Sequence, residues 1–321
     1  MKDSKPYIII TGAAGFIAAH IIRQLNQAGR NNLILVDNLK TSEKWKNLVG
    51  TSFHEMMPKE ELLDWLKKTS LPIEACIHLG ACSATTEKDA GYLFDNNTRY
   101  TIRLFEAARE KGIRFIYASS AATYGDGSKG FDDDEDRLEE LEPLNMYGYS
   151  KHMFDLWLKR NGLLKEAVGL KYFNVFGPFE AHKGRMSSAV FHMVPQVRKE
   201  GKVRLFMSSE PETYADGGQM RDFVYGPDAA KMTLAFLENK TGGIFNVATG
   251  NPTTWNTLAT AVFEAIGQKP NIEYIPMPED LIGKYQNYTC ANMKKTKAVL
   301  GEKAETTPIG QAVKEYVKEL W

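Results

Sequence analysis

Short, unbroken apolar runs mark the first half of the chain. "YIIIT" (7–11), "LILV" (33–36), "ACIHLGA" (75–81), "RFIYASS" (114–120) and "AVGLKYFNV" (167–175) are mostly rich in β-forming residues. Runs of this kind, without polar alternation, predict strands buried on both faces. Between them, stretches such as 59–69 and 91–111 carry apolar positions at helical spacing. Strands alternating with helices predict an α/β fold with a doubly wound parallel sheet, covered on both sides. After about residue 176 the alternation loosens. Helical patterns at 187–200, 227–239 and 254–266 then mix with the short runs "VRLF" and "IEYIP", which predicts a smaller mixed α/β lobe. The expected division is a main domain over 1–176, which takes back about 222–250 through "GGIFNVATG", and a lobe over most of 177–321.

Charge narrows the partner. Lys and Arg number 40 and Asp and Glu number 40, a balance that argues against nucleic acid or an anionic membrane surface and for a small molecule. Cys76, Cys82 and Cys290 are an odd set without metal spacing, so no metal site is expected and a reducing, cytoplasmic setting is. Glycines and Arg23 interrupt the apolar stretch 7–25, which therefore reads as fold rather than signal peptide. The run Asp132 to Glu142, eight carboxylates against one arginine, reads as a solvated loop. His78 reads as a core residue, and His20 and His54 as incidental.

Chemistry enters at "TGAAGFIA" (11–18), between the first strand and the first helix. Gly12 permits a tight turn and Gly15 a close approach to the backbone, at a helix start that favours a pyrophosphate. Asp37 ends the next strand, the position that accepts ribose hydroxyls of a dinucleotide. Asn38, Lys40 and Lys44 follow, and a lysine there suits a 2′-phosphate, so the residues alone leave NAD and NADP both open. Further on, Tyr147 and Lys151 stand four apart at the start of a predicted helix, 147–163, and share one face. An ammonium beside the phenol, together with a cationic nicotinamide, is expected to lower the tyrosine pKa and fit it for general acid or base work. Ser120 ends the fourth strand, where its hydroxyl can reach the same substrate oxygen.

With "SSAATYG" (119–125), "YGYSK" (147–151), "YFNVFGP" (172–178) and "RDFVY" (221–225) in order after the glycine turn, the chain resembles the extended short-chain dehydrogenase/reductase family over nearly its whole length. The family implies a Rossmann-like main domain and chemistry on nucleotide sugars. "GACSATTEKD" (80–89), "DNN" (95–97), "YFNVFGPFEAHKG" and "IPMPEDLIGKYQNYT" (275–289) resemble its heptose 6-epimerase branch. That likeness implies inversion of carbon 6 in an ADP-linked heptose, through a transient ketone, with bound NADP preferred. It implies a cofactor site of Gly12, Gly15, Phe16, Ile17, Asp37, Asn38, Lys44, Lys59, Leu79, Gly80, Ala81, Cys82, Ser83, Asn96, Lys151, Val175 and Lys183. For the substrate it implies Asn174, Arg185, His192, Phe206, Met207, Ser208, Ser209, Arg221 and Tyr285, and it suggests a homo-oligomer, a pentamer. Three places depart from the branch pattern: Arg185 stands where a small polar residue is expected, "PETYADGGQM" (211–220) lengthens a loop, and "YGPD" (225–228) replaces a valine-containing run.

Lys183, in "HKG" after the fifth strand, has two readings from position alone: a solvated loop lysine, or a group at the sheet's carboxyl edge. The resemblance implies the latter, a second acid/base. Two rivals share the motifs. A 4-epimerase would leave Lys183 without a task. A 4,6-dehydratase needs an acidic pair where Ala121, Ala122 and Thr123 stand, which disfavours dehydration. A non-catalytic dinucleotide sensor would not require Tyr147 and Lys151 together.

Overall fold

The computed structural model describes residues 5–278 and 286–320. Strands β1 (Tyr7–Thr11), β2 (Leu33–Val36), β3 (Glu55–Met57), β4 (Ile73–His78), β5 (Arg114–Ser120) and β6 (Ala167–Tyr172) belong to one sheet. Outside it lie β7 (Asn174–Phe176), β8 (Val203–Phe206), β9 (Met220–Arg221) and β10 (Phe223–Tyr225). The chain then returns to the main sheet as β11 (Gly243–Val247) before the short strands β12 (Thr253–Thr254) and β13 (Ile272–Ile275). The seven-stranded order is β11-β6-β5-β4-β1-β2-β3, parallel throughout. Strand order reverses between β1 and β4, so the crevice for a ligand opens at their carboxyl ends.

The apolar runs supply both faces of this sheet. Ile8, Ile10, Leu33 and Leu35 pack with Ile21, Ile22 and Ala230 on one side. Ile9, Ile34 and Phe115 pack with Leu62, Leu104 and Phe154 on the other. The covering helices are α1 (Phe16–Gln27), α2 (Lys59–Lys68), α3 (Ala90–Leu93), α4 (Tyr100–Glu110) and α5 (Met146–Arg160), followed by α6 (Ala189–Glu200), α7 (Gly226–Ala235) and α8 (Trp255–Ile266). Two helices near the C-terminus, α9 (Lys294–Leu300) and α10 (Ile309–Glu319), complete the set.

Local differences from the sequence reading have physical causes. The run 167–175 is two strands because β7 leaves the main sheet to pair with β10. The single helix expected over 91–111 is interrupted by a π-helical segment, Phe94–Arg99, of the kind that places side chains at functional sites. The acidic run is not simply a solvated loop. Asp133 is buried, and its Oδ2 accepts a hydrogen bond from the Asn246 amide at 2.9 Å. Glu135 Oε1 accepts from the Ile244 amide at 3.0 Å and pairs with Lys295 at 2.6 Å. Lys295 and the Thr296 hydroxyl donate in turn to the Ile244 and Asn246 carbonyls, each at 2.8 Å. Buried backbone groups need such partners, and these four side chains meet that need along β11.

The lobe has its own core. Val190, Val194 and Val197 of α6 meet Leu258, Val262 and Phe263 of α8, with Val313 and Tyr316 of α10 against them.

Candidate active site

The glycine turn brings two loops together. Gly12 has φ +66°, and a Cβ there would lie 2.8 Å from Gly80 Cα, so neither loop could close this far around a side chain. No side chain caps the start of α1 and no acidic residue occupies its first turn, which leaves its amides and dipole for an anion. Thr11 Oγ1 lies 2.6 Å from His78 Nδ1, and His78 Nε2 lies 2.9 Å from Thr101 Oγ1. Burial pushes His78 down to about 3, so it is a neutral strut beneath this turn, as a core histidine should be.

A cleft of about 780 Å³ opens above these strand ends. Gly12, Gly15, Phe16, Ile17, Asp37, Asn38, Lys44, Lys59, Leu79, Gly80, Ala81, Cys82, Ser83, Asn96 and Val175 all line it, together with Ser120, Tyr147, Lys151 and Lys183. That volume suits a cofactor-sized ligand. At one end Asp37 accepts from the Ala14 amide at 2.9 Å and from Lys44 Nζ at 2.6 Å. Asn38 holds Glu60 at 2.8 Å, and Lys59 Nζ donates to Asn96. Asn97, unassigned by the sequence reading, is fully buried and bridges the Cys82 backbone to Ser150 Oγ at 2.9 Å. Its only sequence signal was its neighbour in "DNN".

Helix α5 carries Tyr147 and Lys151 from a start capped by Asn145, whose side chain accepts from the Gly148 amide at 2.9 Å. Burial raises the Tyr147 pKa, and a hydrogen bond with Ser120 offsets part of the rise. The expected lowering is thus not supplied by the protein's own groups, which keep the phenol protonated. Lys151 is lowered to about 8 by burial, with Asp155 opposing the shift. Asp155 is itself fully buried, accepting from Tyr117 Oη at 2.8 Å and Ser119 Oγ at 2.7 Å, with Lys171 Nζ 3.4 Å away.

Lys183 reaches the same cleft from the 3-10 turn Ala181–Met186, with Nζ 5.4 Å from the centre of the Phe16 ring. Burial lowers its pKa, and Glu180 opposes that. Gly184 follows at φ +55° and ψ −120°, a backbone shape that favours glycine. His20 is not incidental: it is buried, its Nε2 lies 3.1 Å from the Pro178 carbonyl, and burial lowers it to about 4. Asn47 Nδ2 donates to the Ala14 and Phe179 carbonyls, each at 2.9 Å, tying the same loop to the glycine turn.

Among the described residues, those expected at the substrate do not line this cleft. Asn174, Arg185, His192 and Met207 are exposed, and Phe206 ends β8. Ser208 donates its amide to Asp216 Oδ1 at 2.8 Å, folding back the lengthened loop, while Ser209 is half-buried beside it. Arg221 is buried, its guanidinium 6.0 Å from the centre of the Trp255 ring. Its neighbour Asp222 is fully buried and accepts from the Thr249, Gly250 and Ala291 amides. Tyr285 lies outside the described residues. Among the described residues no group of His, Cys, Asp and Glu forms a metal site, and no helix is long and apolar enough to cross a membrane.

Known proteins share this architecture. An ADP-L-glycero-D-manno-heptose-6-epimerase of Nitratidesulfovibrio vulgaris strain Hildenborough is 50% identical over 313 residues, 97% of this chain and 96% of that one. The like-named protein of Fusobacterium nucleatum is 43% identical over 323 residues, with 97% of each chain covered. In three dimensions the Helicobacter pylori ADP-L-glycero-D-manno-heptose-6-epimerase superposes with TM-score 0.81 at 25% identity, covering 100% of this chain and 98% of that one. Residues 8–248 match the pattern of one family, and with these relatives beside it the chain belongs to the NAD dependent epimerase/dehydratase family.

Proposed function

We propose that this protein inverts carbon 6 of the heptose in ADP-D-glycero-D-manno-heptose to give the L-glycero epimer, supplying heptose for the lipopolysaccharide core. The observation that carries the reading is that two proton-handling side chains on separate elements, Tyr147 on α5 and Lys183 on the loop after β7, line one cleft. The full-length relatives support the same substrate.

The start of α1, Asp37 with Lys44, and the Leu79 to Ser83 loop would hold the dinucleotide, whose chemistry when bound is to accept and return a hydride. NADP is the better fit, because Lys44 already neutralises Asp37, and Lys40 and Lys59 line the same end of the cleft. Tyr147, steadied by Ser120, moves the hydroxyl proton for one epimer. Lys183 moves it for the other, whose oxygen points elsewhere. Lys151 keeps a positive charge beside Tyr147 below about pH 8. Arg221, on the lobe side beyond the residues that line the cleft, would meet the diphosphate with its guanidinium fork.

Incubation with ADP-D-glycero-D-manno-heptose, followed by NMR at carbon 6, tests the reading. Conversion to a mixture of the two epimers is expected; an unchanged substrate with NADP bound overturns it.

A further inference from the structure

The loop that carries Lys183 is held by a residue not yet given a role. Glu180 is fully buried. Its Oε1 accepts from Ser188 Oγ at 2.6 Å, Tyr316 Oη at 2.9 Å and the Gly177 amide at 3.4 Å, and its Oε2 accepts from the Ser188 amide at 2.5 Å. All four donors are neutral, and they come from the start of the loop, the start of α6 and the C-terminal helix α10. Ser188 is also the N-cap of α6, so the carboxylate lies at the positive end of a 12-residue helix. The Glu180 carbonyl accepts from the Lys183 amide and from Ser187 Oγ, each at 2.9 Å, closing the turn that projects Lys183.

We propose that Glu180 is the positioning residue for Lys183, clamping its loop between α6 and Tyr316, so that the C-terminal helix helps set where the second proton-transfer group stands. The inference rests on the acid/base reading of Lys183. Among the described residues, Glu180 is the charged group that shifts this lysine. The Phe16 ring of α1 covers it, and His182 beside it is kept low by burial, with Lys44 and Asp37 acting on that histidine. Glu180 is the group that raises the Lys183 pKa against burial. On the far side of the clamp Tyr316 packs near Phe176, and burial followed by Glu180 raises its own pKa.

Glu180→Gln keeps the shape but leaves one oxygen for four donors; Tyr316→Phe removes one donor and keeps the ring. The test is single-turnover oxidation of each epimer by the NADP-loaded enzyme, read from the absorbance of the reduced nicotinamide. Beside it, the pH dependence of Lys183 acylation by acetic anhydride is read in stripped protein by peptide mass spectrometry. Glu180→Gln is expected to slow the half-reaction that Lys183→Met slows by about 10- to 100-fold, and Tyr316→Phe to slow the same one less. The other half-reaction and NADP affinity should stay near those of the parent. In Glu180→Gln the Lys183 acylation curve should move to lower pH, and in a Lys183→Met background the Glu180 change should add no further loss. Equal slowing of both half-reactions, or an unmoved acylation curve, overturns the proposal. If Lys183→Met itself turns over both epimers, the acid/base reading falls, and the acylation curve alone decides whether Glu180 governs Lys183.

Discussion

Helix α5 and the loop 177–188 deliver polar side chains to one cleft by opposite means. Tyr147 and Lys151 ride on a 15-residue helix, with a local cap at Asn145 and a buried Asp155–Lys171 pair behind it. Lys183 rides on a turn kinked at Gly184, held by Glu180, His20 and Asn47, whose partners come from distant parts of the chain. A helix fixes spacing by its own geometry, so YxxxK is readable in the sequence. A loop is placed only by contacts the fold must first assemble.

The sharpest way to break the comparison is at the two groups themselves. Tyr147→Phe and Lys183→Met should each cost about 10²- to 10⁴-fold in epimerisation while leaving the thermal midpoint close to the parent. Measured as oxidation of the separate epimers, the two losses should fall on different substrates. A loss shared equally would mean that one group serves both faces.

A smaller effect should separate the supports. Asp155→Asn leaves Lys171 fully buried without its counter-charge, and urea unfolding should show about 3–5 kcal/mol lost. Stability unchanged within the error of the measurement would show that the pair is not what backs α5.

The smallest concerns pH. Lys151 is lowered to about 8, so its charge is complete well below that pH and lost above it. Affinity of stripped protein for NADP should therefore weaken by about tenfold as pH rises through 8, the worth of one charge-assisted contact. In Lys151→Met this step should vanish. A step that persists there belongs to another group.

What was legible followed from local chemistry. The five apolar runs, the Gly12 turn, Asp37 and the α5 pair all announce themselves within a few residues, and the structure gathers them at the cleft. The rest depended on pairing across long separations. Asp133 and Glu135 look like solvated acids until β11, more than a hundred residues on, brings its amides to them. His20 seems incidental until Pro178 arrives, and Glu180 lacks a meaning until Tyr316 does. The π-helical turn at 94–99 hides inside a continuous helical pattern, because one inserted residue barely disturbs apolar spacing.

Strand β11 is also where the sheet stops. A bare edge would offer a template to any extended segment, and a parallel sheet of this size has no intrinsic reason to end at seven. Here Glu135, Asp133, Lys295 and Thr296 already occupy the Ile244 and Asn246 groups that an eighth strand would need. Strand addition at this border would have to displace them, so the sheet closes its own edge with side chains rather than with a further strand.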